Sequence, residues 1–364
     1  MKSLKKLILK LLLIPILITA LEWSSYSQEK IFPKIDKIYL TSCVNNQTCS
    51  TDSKDVTLED KVNLNMVAEF QKNGQMFYLS KSKNICLNGK KIDSTRIYSW
   101  EPNDISIKWF KIEPKESSYN NGRGNSFRWD KINYKETLID SNKWVIEPDA
   151  HPTDKFKDIN DGLGTMRYKV KIFNNGRELF TPGKESTDIQ GIKKDVHRIS
   201  FRKDNSFVGW LSSFFNLPYI YGSSGIDSET HQSENYVGAD CADLLVAAYR
   251  KSGKKIPYTY AAGLSNFANI VVKQSNLRTD GENYYNQNKL LEFGKDVKEG
   301  DLILFGTSHV GAIIEDKSNP DSKYAGRPDG IFNIYDLMIH TLFDNPTKEN
   351  VGGRGMFSIL RWKN

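Results

Sequence analysis

The stretch YVGADCADLLVAAYRKSGKKIP, residues 236–257, decides how the second half of the chain is interpreted. Asp240 is a good N-cap residue, and the apolar run after it predicts a buried helix from Cys241 to Ser252 that stops at Gly253. Cys241 therefore occupies the first helical position. This stretch is compatible with Cys241 as a buried structural thiol and with Cys241 as an activated nucleophile. The rest of the sequence has to distinguish these two roles.

The position of Cys241 favours the nucleophile. The free N–H groups and the dipole at the N-terminus of a helix stabilise a thiolate, and the same N–H groups can receive a developing oxyanion. Asp243, three residues after the N-cap, forms a weak version of a capping box. An inert cysteine gains nothing from this position, whereas a nucleophile gains acidity.

A thiolate nucleophile needs a base, and the chain contains five histidines. Two of them follow Cys241 in predicted strands: His309 opens one strand after the loop 306–308, and His340 lies in the next. If those strands pair, His340 lies beside His309 and orients its ring, which is the geometry of a Cys–His–polar triad. Taken alone, His309 also fits an exposed loop residue, and His340 fits a satisfied sheet histidine.

From residue 205 onward the chain resembles the NlpC-type cell-wall cysteine peptidases, a papain-like family that cleaves peptide bonds in peptidoglycan stem peptides. The resemblance rests on an ordered set of short motifs and covers none of the first half. Each motif is weak alone, but the set in this order, with sensible gaps, is fairly specific. The motifs are PYIYG (218–222), DC (240–241), GKKIPYT (253–259), VKEGDLILF (297–305), HVGAII (309–314) and MIH (338–340).

The resemblance implies roles for five residues. It makes Cys241 the nucleophile, His309 the base and His340 the polar residue that orients the base. It gives Tyr219 a part in binding substrate or stabilising the oxyanion, and Asp240 a part in holding a free stem-peptide amine. The implied partner is a peptidoglycan stem peptide or a related peptide substrate.

Several positions depart from the family pattern. Ala242 and Asp243 replace the usual Ser-Gly after the cysteine, which removes a hydroxyl and adds a charge at the expected substrate site. Tyr258 stands where the family has arginine, and the loops 223–239 and 316–330 are longer than common. These changes leave nucleophile and base in place and put the family's usual γ-D-glutamyl specificity in doubt.

The second half, residues 205–364, has helices first and strands afterwards, so an α+β papain-like domain is expected. SFVGWLSSFF (206–215) has helical spacing. The chain contains no HExxH spacing and no G-x-S-x-G elbow, which disfavours a zinc amidase and a serine hydrolase; no metal or cofactor is expected. The predicted strands are DLILF (301–305), HVGAIIE (309–315), DLMIHTLF (336–343) and FSILRW (357–362).

The first half, residues 28–204, is rich in period-two alternation and turn residues, which predicts an all-β, immunoglobulin-like sandwich domain whose ligand the sequence does not indicate. The turns include Asn73-Gly74, Asn121-Gly122 and Asn175-Gly176. The predicted strands are VNLNMVAEF (62–70), ISIKWFKIEP (105–114), MRYKVKIF (166–173) and VHRISFRK (196–203).

Three of the four cysteines, Cys43, Cys49 and Cys86, fall in the first half. In an exported protein two of them are expected to form a disulfide, and the sequence allows three pairings. Metal binding is disfavoured because there is no CxxC spacing and no nearby histidine. Cys241 stays apart and is expected to be free.

The N-terminus, residues 1–27, has the pattern of a secretory signal peptide: four lysines precede an apolar core at 11–21 that is short for a membrane span. An uncleaved anchor is the alternative. Removing these residues, which also contain Glu22, lowers the formal net charge from +7 to +4. That charge is weak for nucleic-acid binding. A secreted or periplasmic protein without a membrane span after cleavage is expected.

Three functions fit these observations. The first is an exported cysteine hydrolase that cleaves peptidoglycan peptides, aided in placement by the β domain. The second is an amidase or acyltransferase on the same core with another substrate. The third is a non-catalytic envelope-binding protein; the joint presence of Cys241, His309 and His340 argues against it, because a dead site has no physical need for all three.

Overall fold

The structure is a computed structural model that describes residues 34–99, 105–155, 158, 160–225, 231–322 and 325–363. The predicted signal peptide, residues 1–27, lies outside the described residues.

Short strands dominate the first half. One 3₁₀ helix, Ser94–Arg96, accompanies them within the described ranges. The strands are β1 (Ile35–Val44), β2 (Cys49–Ser50), β3 (Lys54–Thr57), β4 (Val62–Lys72), β5 (Gln75–Leu79), β6 (Ile85–Leu87), β7 (Lys90–Lys91), β8 (Ile97–Tyr98), β9 (Ser106–Pro114), β10 (Ser118–Asn120), β11 (Tyr134–Ser141), β12 (Val145–Ile146), β13 (Gly164–Asn174), β14 (Arg177–Phe180), β15 (Thr187–Asp188), β16 (Gly191–Ile192) and β17 (Arg198–Arg202).

Two sheets enclose the main core of this half. The first has the order β7-β6-β2-β1-β4-β5-β8, with β12 added on β4, and the second has the order β11-β9-β13-β17-β3, with β14 added on β13. Apolar side chains of both sheets, such as Leu64 and Met66 on β4 and Trp109 on β9, form one buried cluster. The Trp109 indole N–H donates to the Lys143 carbonyl at 2.8 Å, so the buried ring keeps its polar atom satisfied.

Cys43 and Cys49 form a disulfide that ties the end of β1 to β2, and Cys86 and Cys241 are free. The prediction that two of the first three cysteines pair and that Cys241 stays free is confirmed. The structure selects one of the three pairings that the sequence left open.

The second half contains two short α-helices among its described residues, α1 (Phe207–Ser212) and α2 (Cys241–Lys251), and the 3₁₀ helices Ala261–Asn266 and Gln274–Asn276. The strands are β18 (Tyr219–Tyr221), β19 (Ala268–Val272), β20 (Leu277–Thr279), β21 (Tyr284–Asn286), β22 (Lys289–Leu290), β23 (Leu302–Phe305), β24 (His309–Glu315), β25 (Leu337–His340), β26 (Thr347–Asn350) and β27 (Phe357–Trp362).

A six-stranded antiparallel sheet, β19-β27-β23-β24-β25-β26, organises this half. Because side chains alternate along a strand, its two faces contribute to different cores. Val310 and Ala312 of β24 pack with the apolar residues of α2, whereas Ile313 and Phe305 belong to a cluster on the other face. The sheet thus holds α2, with Cys241 at its start, against β24.

The two halves share backbone and side-chain contacts. Strand β10 pairs in parallel with β18. The Thr165 hydroxyl donates to the Ser213 carbonyl at 2.8 Å. Gly164 has a φ of +122°, and a Cβ there would lie 2.7 Å from the Phe215 carbonyl oxygen, so the close approach of the two halves depends on glycine. Two domains divided near residue 204 stay a prediction.

The predicted fold class, an immunoglobulin-like sandwich followed by an α+β papain-like domain, is wrong. Strands make up 42% and helices 10% of the structure, in several sheets, which does not fit the α+β domain. The helical pattern at 206–215 yields only the six residues of α1. The segment 268–290, for which no element was predicted, forms β19 to β22.

The strands at 268–290 have a local cause, and β19 also depends on its pairing with the distant β27. The run Asn269–Val272 ends in β-branched residues that favour a strand. Residues 284–290 form a hairpin whose turn includes Gln287 at a φ of +58°. In the described part of the chain, no helix is long and apolar enough to cross a membrane.

Candidate functional site

The start of α2 brings Cys241 to the edge of β24. Asp240 caps the helix, because its carboxylate accepts the backbone N–H groups of Ala242 at 3.0 Å and Asp243 at 2.9 Å. The Cys241 thiol, 8% exposed, points at the Ser308 carbonyl, with 3.9 Å between Sγ and the oxygen. The nucleophile proposed from the sequence therefore lies against the backbone next to His309.

His309 and His340 meet on the sheet. Their ring centroids are 5.0 Å apart and the rings lie edge to face. The His309 ring also stacks on Phe305, with centroids 5.7 Å apart. By alternation along β24, the His309 side chain starts on the face of Phe305, opposite to Val310, which faces α2.

No hydrogen bond joins the thiol of Cys241 to the imidazole of His309 among the described atoms. Both ring nitrogens of His309 are buried and have no hydrogen-bond partner. The Cys–His contact predicted from the sequence is therefore not formed: a proton transfer from Sγ to His309 requires a rearrangement that brings the imidazole from the Phe305 face of the sheet to the side of α2. Apo sites often show such loose geometry before substrate binds.

The electrostatics of the thiol differ from the expectation at a helix N-terminus. Burial and the neighbouring Asp240 carboxylate raise the pKa of Cys241 to about 12, although the backbone N–H groups of Val310 and Ala242 act in the opposite direction. Burial, with Asp240 next, also raises the pKa of the Asp243 carboxyl well above its usual range. The resting thiol is therefore protonated, because desolvation and two adjacent acids outweigh the helix terminus.

The histidines are neutral at rest. Burial, then His340 and Arg354, lower the pKa of His309 to about 4. Burial and Arg354 also lower the pKa of His340, against the attraction of Glu349. A neutral imidazole has a free ring nitrogen that can accept a proton, but the lowered pKa makes His309 a weaker base than a free imidazole.

His340 has acidic and basic neighbours that the sequence analysis did not find. Its Nε2 lies 3.3 Å from Glu349 Oε2, at ion-pair distance but without the alignment of a hydrogen bond. Glu349 in turn pairs with Arg354. The sequence gives no signal for Glu349, because the segment TKEN of β26 has the composition of an ordinary polar strand.

Tyr219 lies close to the thiol. Burial raises the pKa of its phenol, and the charges of Asp240 and Cys241 raise it further, so the phenol remains a hydrogen-bond donor. Its ring packs 5.3 Å from the ring of Phe343, which is 68% exposed and has a φ of +57°. Such a conformation is strained for a bulky residue and is typical of functional positions. Phe343 is an exposed aromatic neighbour of Tyr219 that the sequence analysis did not single out.

The Asp240 carboxylate is less available to bind a substrate amine than the resemblance implies. Besides its two bonds as the helix cap, it accepts the Gly222 N–H at 3.3 Å. Three backbone donors therefore share this carboxylate, and a substrate amine would have to compete with them.

A cavity of about 310 Å³ lies beside His340. His340, Glu349 and Arg354 form one wall, and Glu113 and Lys135 of the first half belong to the other. The described residues contain no cluster of three or more histidines, cysteines or carboxylates that could hold a metal ion.

Comparisons with known proteins add no name to this arrangement: no family model matches the chain, and no curated protein or solved structure matches it.

Proposed function

We propose that the protein is an exported cysteine hydrolase that cleaves amide bonds in peptides. The observation that carries the proposal is the placement of the Cys241 thiol, at the start of α2, against the Ser308 carbonyl, directly before His309, which itself contacts His340. A nucleophile, a base and a residue that orients the base are the parts that this chemistry needs.

The neutral resting state shapes the mechanism. Because thiol and imidazole are both uncharged, proton transfer accompanies attack: Sγ of Cys241 bonds to the amide carbon while its proton moves to His309. The backbone N–H of Cys241, with the Tyr219 hydroxyl, holds the oxyanion. His309 then gives its proton to the leaving nitrogen as the C–N bond breaks, and water hydrolyses the thioester by the same base, which restores the thiol.

Peptidoglycan stem peptides are the proposed substrates. The support is the resemblance of the ordered motifs around Cys241, His309 and His340 to NlpC-type peptidases. The N-terminal residues 1–27, with the pattern of a signal peptide, agree with a place in the cell envelope.

The decisive experiment is digestion of muropeptides with protein beginning at Gln28, followed by mass spectrometry. We expect new peptide products that vanish in Cys241→Ala. The matched control is Cys86→Ala, which removes the other free cysteine and should retain the products. Full activity of Cys241→Ala would refute the mechanism.

A non-catalytic binding protein is the second candidate, and one observation favours it: Cys241 is protonated at rest and lacks a hydrogen bond to His309. The same digestion separates the two functions when binding is also measured. Retention of muropeptides by wild type and Cys241→Ala alike, with no product from either, would assign the protein to this second class.

A further inference from the structure

A concavity lined by several basic residues lies away from the cysteine. Its volume is about 590 Å³. Its walls come from β1, from the segment 193–198 and, in the second half, from residues 234–236. Cavities of about 300–1000 Å³ are typical of small-molecule sites in proteins.

Arg167 of β13 lies in the wall of this cavity and is only 6% exposed. Its Nη2 donates to the carbonyls of Asn235 at 3.2 Å and Tyr236 at 2.6 Å. No carboxylate of the described residues forms an ion pair with it, and Arg198 is a further positive neighbour. Taking an uncompensated charge out of water is expensive, so the buried guanidinium is an attractive partner for an anion.

The other cations of the wall reinforce this charge. Lys193 and Lys194 are exposed at the rim and form no ion pair with the described residues. Lys37 also lies in the wall, with its ammonium over the Tyr39 ring. The free positive charge therefore comes from three lysines as well as from Arg167.

The acids of the wall offset only part of this charge, because the basic residues of the wall outnumber them. Glu234 is paired with Arg250 at 2.7 Å, and Asp195 accepts the Ser186 hydroxyl at 2.8 Å. Asp52 is the remaining wall carboxylate, and it is exposed. The described hydrogen bonds of Arg167 all come from Nη2, which leaves its Nε and Nη1 groups for a ligand.

We propose that this cavity is a binding site for a small organic oxyanion, recognised through a carboxylate or phosphate group that Arg167 binds and that Lys193 and Lys194 attract. A guanidinium presents N–H donors in a planar fork that matches either group. The site is separate from the cysteine, and this inference does not depend on the proposed hydrolase.

Isothermal titration calorimetry tests the proposal on protein beginning at Gln28, with inorganic phosphate in one arm and citrate in the other. We expect saturable binding of at least one probe that weakens as NaCl is added, because salt screens exposed charges. The stronger probe identifies the group as phosphate or carboxylate. No binding of either at about 10 mM would overturn the proposal, because even millimolar affinity would be visible there.

Two variants locate the binding. K193A/K194A removes the exposed rim charges, and the matched control K90A/K91A removes another adjacent, exposed lysine pair outside the cavity. We expect about tenfold weaker binding in the first and wild-type binding in the second. Equal weakening in both pairs would mean a general charge effect and would overturn the proposal.

Arg167→Gln probes the buried group itself. Glutamine is shorter and uncharged and keeps an amide donor at this position, and thermal unfolding without ligand checks that the variant is folded. Binding should fall by at least about tenfold. Wild-type affinity in a folded Arg167→Gln would refute the assignment; if this variant does not fold, the two lysine pairs decide.

Discussion

The imidazoles of His309 and His340 lie edge to face, with 5.0 Å between their centroids, while neither ring nitrogen of His309 has a hydrogen-bond partner. His340 thus contacts His309 through its ring and not through a hydrogen bond, and both ring nitrogens of His309 stay unpaired.

His340→Ala should lower kcat on a cleaved peptide by about 10²- to 10⁴-fold, because orientation is lost while the base remains. His309→Ala should abolish turnover. The steady-state rate on the best muropeptide measures both. His151→Ala, a change at an exposed histidine of the first half, is the control that should keep the rate. A wild-type rate in His340→Ala would contradict its role.

The reactivity of Cys241 toward iodoacetamide should rise steadily from pH 7 to about 10 without a plateau, because its pKa is about 12. The measurement is the alkylation rate by mass spectrometry in a Cys86→Ala background. Asp240→Asn should speed alkylation at each pH, since it removes a negative charge beside the sulfur and asparagine still caps the helix. A plateau below about pH 8 would instead indicate a stable thiolate.

His197 should make the fold sensitive to acid. It is 5% exposed, and burial lowers its pKa to about 4. Between about pH 6.5 and 4 the unfolded chain binds a proton here that the folded chain does not, so this contribution to stability falls as pH falls, on the order of 3 kcal/mol in all.

Urea unfolding of wild type and His197→Gln at pH 7, 6 and 5 measures this effect. Wild type should lose more stability toward acid than the variant, which lacks the titrating ring. The comparison is needed because Asp336, whose pKa burial raises to about 8, contributes in the opposite direction in both proteins. Parallel curves would contradict the prediction.

The disulfide between Cys43 and Cys49 should contribute about 2 kcal/mol to the free energy of unfolding, since it closes a short loop of the unfolded chain. The double variant C43S/C49S should show this loss in chemical denaturation. Dithiothreitol should destabilise wild type and leave the double variant unaffected. Equal sensitivity of both proteins to the reductant would show that this bond does not stabilise the fold.

The elements that a local pattern specifies were predicted well. Strands β4, β9 and β13 lie close to where the period-two alternation predicted them, and β24 coincides with the predicted strand HVGAIIE. The N-cap at Asp240 and the start of α2 at Cys241 are confirmed as well, because a cap depends on neighbours within one turn.

The elements that distant contacts decide were not predicted. Strand β19 is stabilised by pairing with β27, almost a hundred residues later, and strands of two or three residues such as β20 and β22 carry too few residues to show a period. The predicted α+β domain was wrong for this reason: the short strands between residues 268 and 290 were not predicted, and the structure is mostly β-sheet.

The candidate site likewise has features that the sequence predicts and features that depend on tertiary contacts. Motif spacing pointed to Cys241, His309 and His340, and the structure brings the two histidines together and the thiol to the neighbouring backbone. The raised pKa of Cys241 could not be predicted, because it follows from burial. Glu349 reaches His340 only through the pairing of β25 with β26.

The parallel pairing of β10 with β18 has a consequence for engineering. Ile220 and Val237 are buried in a cluster whose other members, including Tyr119 and Tyr134, come from the first half. A truncated protein of residues 205–364 would expose Ile220 and Val237 to solvent. It would also leave β18 without its partner strand β10, and an unpaired strand edge favours aggregation. We therefore expect that residues 205–364 cannot be fused to another protein as an independent domain. A fusion needs to include the β-rich first half that covers these side chains.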